Sequence, residues 1–481
     1  MCHYLNIGTT VFSGDRVWRA AAMILLAIVF VADVYRATTQ SLTIDEAFSY
    51  NLYFSKPVHE LLTYYDANNH VLYTVLAKIA IGLFGNAEWV LRLPSLIGAL
   101  LYLIVVYRLC WFLVADRLLA FVAVALLSLN PYLLDFLSAA RGYGLGIGLM
   151  LWGIYWTLRS RTPDSRPSDL LKAGFVFGCA VACNMTVAFA VAGFATIFWL
   201  TNRSWRVIDQ LGIPMVVSAF VFLAVPLSHA TRANFYVGTD TLQGTLASLV
   251  MCSFRHHVTP LIAVQSAVLE SAALIMALAA VVCLVAIWWG GYKYRVLIAT
   301  FALNLAALVG AHVLAGLKYP ELRTGLYLIP LVCVIVVAAV SAIPFRLARW
   351  VLAVPLVAAC VLFALQWNTS MYTEWQWDQN SRTVAKIIRD RQPHRVGASW
   401  PLVEALNYYR DRFHLWNVES LTRADPGGDF DMYVLLPENY DVLQKRGLRE
   451  IYRDPKSEVV VALPGARSQG LVDNGAPASA R

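Results

Sequence analysis

In SLTIDEAFSYN, residues 41–51, Asp45 and Glu46 stand side by side just beyond an apolar run. Thr43 and Glu46 have the spacing of a helix capping box, in which the Thr43 hydroxyl and the Glu46 carboxylate each accept a backbone N–H. That structural use leaves Asp45 unassigned. A carboxylate in the first turn of a helix is kept ionised by the helix dipole, and an ionised carboxylate can take a proton from an incoming hydroxyl or hold a divalent metal. A second acid, Asp135, lies in NPYLLDFLSAARGYGLG shortly before Arg141. Cations are the other half: KYPELRTGLYLIPL carries Lys318 and Arg323 around Pro320, with Tyr319 and Tyr327 beside them, and Arg92 lies in LRLPS. Ionisable groups at membrane depth cost about 2.5–3.5 kcal/mol each on insertion scales, so they usually mark a pathway or site. The plainer uses are an interfacial Asp135–Arg141 pair, and Arg92 or Lys78 reaching out to lipid headgroups. Several cations facing acids suit a lipid phosphate or diphosphate, held by guanidinium forks and neutralised as it departs.

The elements that carry these residues follow from composition. The chain has 481 residues, 59% hydrophobic and 14% charged, with mean hydropathy +0.59, which points to an α-helical polytopic membrane protein. Its net charge of +8 resides in short basic clusters between apolar runs, as cytoplasmic loops require, and nucleic acid is not expected as a partner. Arg16 and Arg19 precede an apolar run without a small-residue cleavage site, so the first span is expected to be retained. Spans are expected near 17–37, 92–114, 118–137, 140–158, 170–184, 186–201, 211–228, 260–289, 296–316, 323–342 and 350–367, about 11 transmembrane helices in all. Reading 170–200 as two short spans keeps the later basic loops inside, and loop charge then sets the N-terminus in the cytoplasm. Residues 38–91, 130–141, 229–259 and 316–323 and the region after 367 fall outside, so the candidate acids and cations share one face.

NNHVLYTVLAKIAIGLFG within the first external loop is too short to span and reads as an interfacial or re-entrant helix. Gly142, Gly144, Gly146 and Gly148 leave an uncovered backbone for another helix or a lipid chain. Cys179 and Cys183 are one helical turn apart but lack acidic or histidine companions, and His256 and His257 read as loop residues, so no metal site is expected from either pair. Residues 1–367 are expected to form the transmembrane catalytic module and 368–464 a small external α/β domain. In that domain SRTVAKIIRDRQ and PLVEALNYYRDRF have helical spacing, while RVGASW, DMYVLLP and EVVVALP read as strands. The tail 465–481, rich in Gly, Ala and Ser, is expected to be disordered.

Five stretches carry a resemblance: LTIDEAFS, NNHVLYTVL, LRLPS, NPYLLDFLSAARGYGL and YPELRTGLYLIPL, in that order over residues 42–331. The chain resembles the GT-C membrane glycosyltransferases, specifically the bacterial relatives of protein O-mannosyltransferases and aminoarabinose transferases. The resemblance implies a GT-C-type fold, a polyprenyl-phosphate-sugar donor, and an acceptor in the envelope, whether lipid, glycan or protein. It implies catalytic acids at Asp45 with its neighbour Glu46 and at Asp135, and donor-phosphate contacts from Arg141, Lys318 and Arg323, with Arg92 and Tyr319 nearby. Asn69, His70, Tyr143 and Tyr327 are its candidates for sugar or acceptor contacts. The chain has NNHVLY where many relatives have a His-Pro-Pro segment, and it lacks the additional blocks of the eukaryotic protein mannosyltransferases, so a protein acceptor is not specifically implied. No cofactor is required; a divalent metal at Asp45 is compatible with the residue types. The expected setting is the bacterial inner membrane. The rival readings are a lipid-linked sugar flippase without transfer chemistry and a noncatalytic assembly subunit, but a transporter would place its ionisable residues near the bilayer midplane.

Overall fold

The computed structural model describes residues 8–62, 66, 68–231, 234, 237–254, 270, 281–285 and 287–465. The chain divides into two compact units, Met1–Thr39 with Lys56–Thr369, and Gln40–Ser55 with Ser370–Arg481.

The first unit is helical. It contains α1 (Gly8–Thr39), and among the described residues seven helical runs are long and apolar enough to cross a membrane, or eight if one bent pair counts as a span. The chain is thus an integral membrane protein by the length and composition of its helices. Eleven spans were expected. The stretch 260–289 lies largely outside the described residues, as do His256, His257 and residues 466–481. The expected spans 140–158 and 170–184 are helices, but Gly142–Arg159 is diluted by glycine, tyrosine and tryptophan, and Asp169–Cys183 has only 15 residues. The helix expected within NNHVLYTVLAKIAIGLFG is α2 (Val71–Phe84), 14 residues long.

The helices after it shape the candidate site. α3 (Glu88–Leu113) is followed by α4 (Arg117–Leu129) and the short α5 (Pro131–Ser138), bent by 59° from one another. The bend follows from Asn130–Pro131: a residue before proline is pushed out of the helical region, and Asn130 (φ −58°, ψ 119°) instead caps α5 by accepting from the amides of Tyr132 and Leu133. After α5 the backbone is extended at Ala139 and Arg141, then α6 (Gly142–Arg159) begins. α6 packs tightly on α7 (Asp169–Cys183). A Cβ added at Gly142 would lie 2.1 Å from the Cys183 carbonyl oxygen, and one at Gly146 would lie 3.2 Å from that of Ala180. The glycine row therefore serves helix packing.

The second unit has a sheet in the order β1 (Val396–Ala398), β2 (Met432–Leu435), β4 (Val460–Pro464), β3 (Leu448–Arg453); β1 and β2 are parallel and the other pairs antiparallel. Its core gathers Tyr433, Leu435, Val442, Val460 and Ala462. The strand β3 was not expected, because LREIYR is largely exposed and charged, as an edge strand tends to be. The sequence reading kept 38–91 with the membrane helices, whereas Gln40–Ser55 belongs to this second unit. The reason is a set of hydrogen bonds across more than 300 positions: Leu42 N–H donates to the Tyr409 hydroxyl (3.0 Å), Ile44 N–H to Asp378 Oδ2 (2.6 Å), and Asn51 Nδ2 to Glu404 Oε2 (2.8 Å).

Candidate functional site

The first unit encloses a cavity of about 460 Å³. Its wall joins Asn68, Asn69, His70, Tyr143, Asn184, Lys318 and Arg323 to an apolar lining that includes Ala182, Met185, Phe189, Leu223, Leu308 and Leu317. Five of the residues expected at the site, Asn69, His70, Tyr143, Lys318 and Arg323, are thereby brought to one hollow.

His70 precedes α2, and its Nδ1 lies 2.9 Å from the carbonyl oxygen of Cys183, the last residue of α7. A ring nitrogen facing a carbonyl must carry the proton, so Nδ1–H donates and Nε2 bears the lone pair. The ring meets Tyr143 edge-on, with centroids 4.6 Å apart. Burial, together with the nearby charges of Arg141 and Arg323, holds the imidazole well below its usual range, so it is neutral. Arg141, fully buried at the entry to α6, donates from Nη2 to Asn68 Oδ1 (2.9 Å), and its guanidinium lies 5.9 Å from the Tyr143 ring centroid.

Lys318 and Arg323 come from a segment pinned at both ends. Tyr319 and Thr239 exchange backbone hydrogen bonds of 2.8 and 3.0 Å. Arg323 sits in the 3-10 turn Leu322–Gly325, where Glu321 N–H donates to the Thr324 hydroxyl (2.8 Å) and Leu322 N–H to Ser248 Oγ (3.1 Å). Lys318 and Arg323 thus bring two cations to a wall that is otherwise largely apolar.

The acidic pair lies in the second unit. The helix Ile44–Ser49 carries the full capping box: Thr43 N–H donates to Glu46 Oε2 (2.9 Å) and Glu46 N–H to the Thr43 hydroxyl (3.3 Å). Glu46 is completely buried in that role, while Asp45 is half-buried. Asp378 accepts from Ile44 N–H at the same helix start, and burial, with the charges of Asp45 and Glu46 adding to it, pushes its carboxyl well above the usual carboxylate range.

The remaining expected residues stand elsewhere. Asp135 pairs with Arg36, both buried. Arg92 is buried and donates from Nη1 to the Ala37 carbonyl (3.2 Å), tying α3 to the end of α1. The Tyr319 ring stacks on His312 at 4.4 Å, and the Tyr327 hydroxyl reaches Asn304 Oδ1 at 3.4 Å. Sequence reasoning overlooked Arg36 and Asp33, whose signal was two charges one helical turn apart inside an apolar run. It also overlooked Asn68, Asn184 and Asp378, polar residues with no pattern around them. Among the described residues no group of three or more His, Cys, Asp or Glu side chains is arranged to hold a metal ion.

A family described as dolichyl-phosphate-mannose-protein mannosyltransferase matches residues 70–229. No curated protein sequence matches the chain. Among solved structures, the chain is similar to the arabinofuranosyltransferase AftD from Mycobacteria (15% identity, TM-score 0.50, covering 94% of this chain and 40% of that one). It is also similar to ArnT from Cupriavidus metallidurans bound to undecaprenyl phosphate (14% identity, TM-score 0.47, covering 92% and 98%). A third similarity is to the oligosaccharyltransferase of Archaeoglobus fulgidus (13% identity, TM-score 0.44, covering 92% and 73%). The fold is of the GT-C type.

Proposed function

We propose that the chain is a membrane glycosyltransferase that moves a sugar from a polyprenyl-phosphate-sugar donor to an acceptor hydroxyl on an envelope lipid, glycan or protein. The reaction takes place at the external face of the bacterial inner membrane, with the N-terminus in the cytoplasm. The observation that carries this reading is the cavity, where Lys318 and Arg323 face a chamber with apolar walls and Arg141 lies beside it. A phosphate needs cations and a prenyl chain needs apolar surface, so one ligand class answers to both. The family match at residues 70–229 supports the same donor class, since its description names a dolichyl-phosphate-linked mannose.

In the proposed step the acceptor oxygen attacks the anomeric carbon, its proton passes to Asp45, the bond from carbon to phosphate oxygen breaks, and polyprenyl phosphate leaves with the bonding pair. A single displacement inverts the anomeric centre. Arg141, Arg323 and Lys318 stabilise the charge that grows on the leaving phosphate. Glu46 is committed to the cap and Asp135 to Arg36, so both are assigned positioning roles.

The test is transfer by the purified full-length chain in nanodiscs, using labelled polyprenyl-phosphate sugars and envelope extracts as acceptors. A general base contributes about 10²–10⁴-fold, so Asp45→Asn should lose at least about 100-fold in turnover while its donor affinity stays within about threefold. Retained turnover would refute the base assignment. Movement of labelled lipid across the bilayer without any transfer would favour the flippase reading.

A further inference from the structure

Two residues of the cavity wall each carry a buried side-chain atom without a hydrogen-bond partner among the described residues: Nε2 of His70 and Nδ2 of Asn184. Their polarities are opposite, and each is fixed by the bond on the other side of its group. His70 spends its proton on the Cys183 carbonyl at Nδ1, so Nε2 can only accept. Asn184 Oδ1 accepts from Thr186 N–H (3.2 Å) and from the Thr186 hydroxyl (2.9 Å), so the amide cannot be turned and Nδ2 can only donate. The residues sit on the same stretch of wall, since Cys183, which holds His70, is next to Asn184 in the chain.

Buried polar groups in folded proteins are satisfied almost without exception, and an orphan in a cavity wall points to a ligand or water that completes it. A deprotonated phosphate cannot complete this pair. Its oxygens accept only, which suits Asn184 and the cations but sets lone pair against lone pair at His70. A hydroxyl completes both, donating to Nε2 and accepting from Nδ2. Burial and the Arg141 and Arg323 charges keep His70 neutral, which preserves the acceptor.

We propose that His70 and Asn184 form an acceptor–donor pair that reads a hydroxyl of the donor's sugar, making them specificity-determining residues at the sugar end of the cavity. The inference rests on the donor-lipid reading above. The ligand class is then a prenyl phosphate whose sugar keeps a free hydroxyl facing this wall, and a sugar with a deoxy position there is rejected because both atoms would stay unpaired.

The test measures binding of undecaprenyl phosphate and of its mannose, glucose and arabinose esters to the full-length chain in nanodiscs. His70→Asn keeps an N–H for the Cys183 carbonyl and removes Nε2; Asn184→Ser keeps a hydroxyl oxygen for the Thr186 amide and removes Nδ2. Wild type should prefer one of the sugar lipids to undecaprenyl phosphate, and each variant should bind that lipid about 10- to 100-fold more weakly while holding undecaprenyl phosphate within about threefold of wild type. A deoxy analogue of the preferred sugar should match the variants' loss in wild type and lose nothing further in the variants. Equal losses for both lipids would overturn the proposal in favour of a phosphate or packing role. No preference among the lipids in wild type would overturn it in favour of bound water. Failure of wild type to bind undecaprenyl phosphate at all would instead sink the donor-lipid reading, and this proposal with it.

Discussion

The pairing of Asp135 with Arg36 can be tested as a position-fixing device. Arg36, Asp135 and Asp33 are 2%, 2% and 1% exposed, so they fall in the regime of buried ion pairs and not of surface ones. Removing one partner from a buried pair costs about 3–5 kcal/mol, because the other charge is left uncompensated. The two single changes are not equivalent here. Asp135→Asn leaves Arg36 with Asp33, which lies one turn earlier on the same helix and interacts with both partners, so the cost should sit near about 3 kcal/mol. Arg36→Met removes the cation that Asp135 pairs with and that also acts on Asp33, and should cost about 5 kcal/mol. In a body of this size each kcal/mol corresponds to about 2 °C or less, so Arg36→Met should lower the melting temperature by about 5–10 °C and Asp135→Asn by roughly half that. The assay is tryptophan fluorescence during heating in detergent at one scan rate, since unfolding of such proteins is usually irreversible. The triple change Asp33→Leu, Arg36→Met, Asp135→Leu should recover most of the loss, because apolar groups of similar volume replace buried ion pairs at little cost. Arg36→Met as stable as wild type would refute the reasoning. An Asp135→Asn variant of full stability whose turnover collapses would show that Asp135 acts on substrate instead.

Asp378 gives a pH prediction. Its carboxyl is raised in the folded state, so the fold binds its proton more tightly than the unfolded chain does; the associated stability is present below the ordinary carboxylate range and is lost as pH rises through the folded value, by about 1.4 kcal/mol per pH unit within that window. Asp378→Asn keeps an oxygen for Ile44 N–H and has no proton to lose, so it should flatten the melting temperature against pH and exceed wild type at pH 8; a variant curve parallel to that of wild type would contradict this. Gly142→Ala drives a Cβ to 2.1 Å from the Cys183 carbonyl and 2.8 Å from His70 Cβ, so it should cost about 1–3 kcal/mol or more and weaken lipid binding. Gly82→Ala, on the same unit with nothing within 4 Å, should instead stabilise by about 0.5–1 kcal/mol, and equal melting temperatures for the two variants would show that the close approach is not rigid.

The legible part of the chain is the part governed by local pattern. Apolar length placed the helix Glu88–Leu113, the Thr43–Glu46 spacing named the capping box of the helix Ile44–Ser49, and short continuous apolar runs found β2 and β4. What stayed hidden depends on partners distant in sequence. Nothing near Ile44 announces that Asp378 will accept its amide, and nothing in the segment 40–55 shows that it joins the C-terminal unit. Asp135 was visible as an expensive charge, but its cation was sought at Arg141, the nearest one in sequence, when Arg36 reaches it from α1. The cavity wall is partly legible for the same reason: Lys318, Arg323 and His70 stand out by type, whereas Asn184 becomes informative only once the Thr186 bonds fix which end of its amide is left without a partner.

The same logic separates the carboxylates at the start of the helix Ile44–Ser49, which composition alone cannot rank. Glu46 is completely buried and accepts the Thr43 amide, and Asp378 accepts the Ile44 amide, so each serves one of the N–H groups that a helix start leaves without an intrahelical partner. A carboxylate engaged in this way is anchored by the helix start that it holds. Asp45 is half-buried and is not one of these two caps. Substituting Glu46 or Asp378 therefore probes the fold first, and loss of turnover in either of those variants, as in Asp45→Asn, carries meaning only beside its melting temperature.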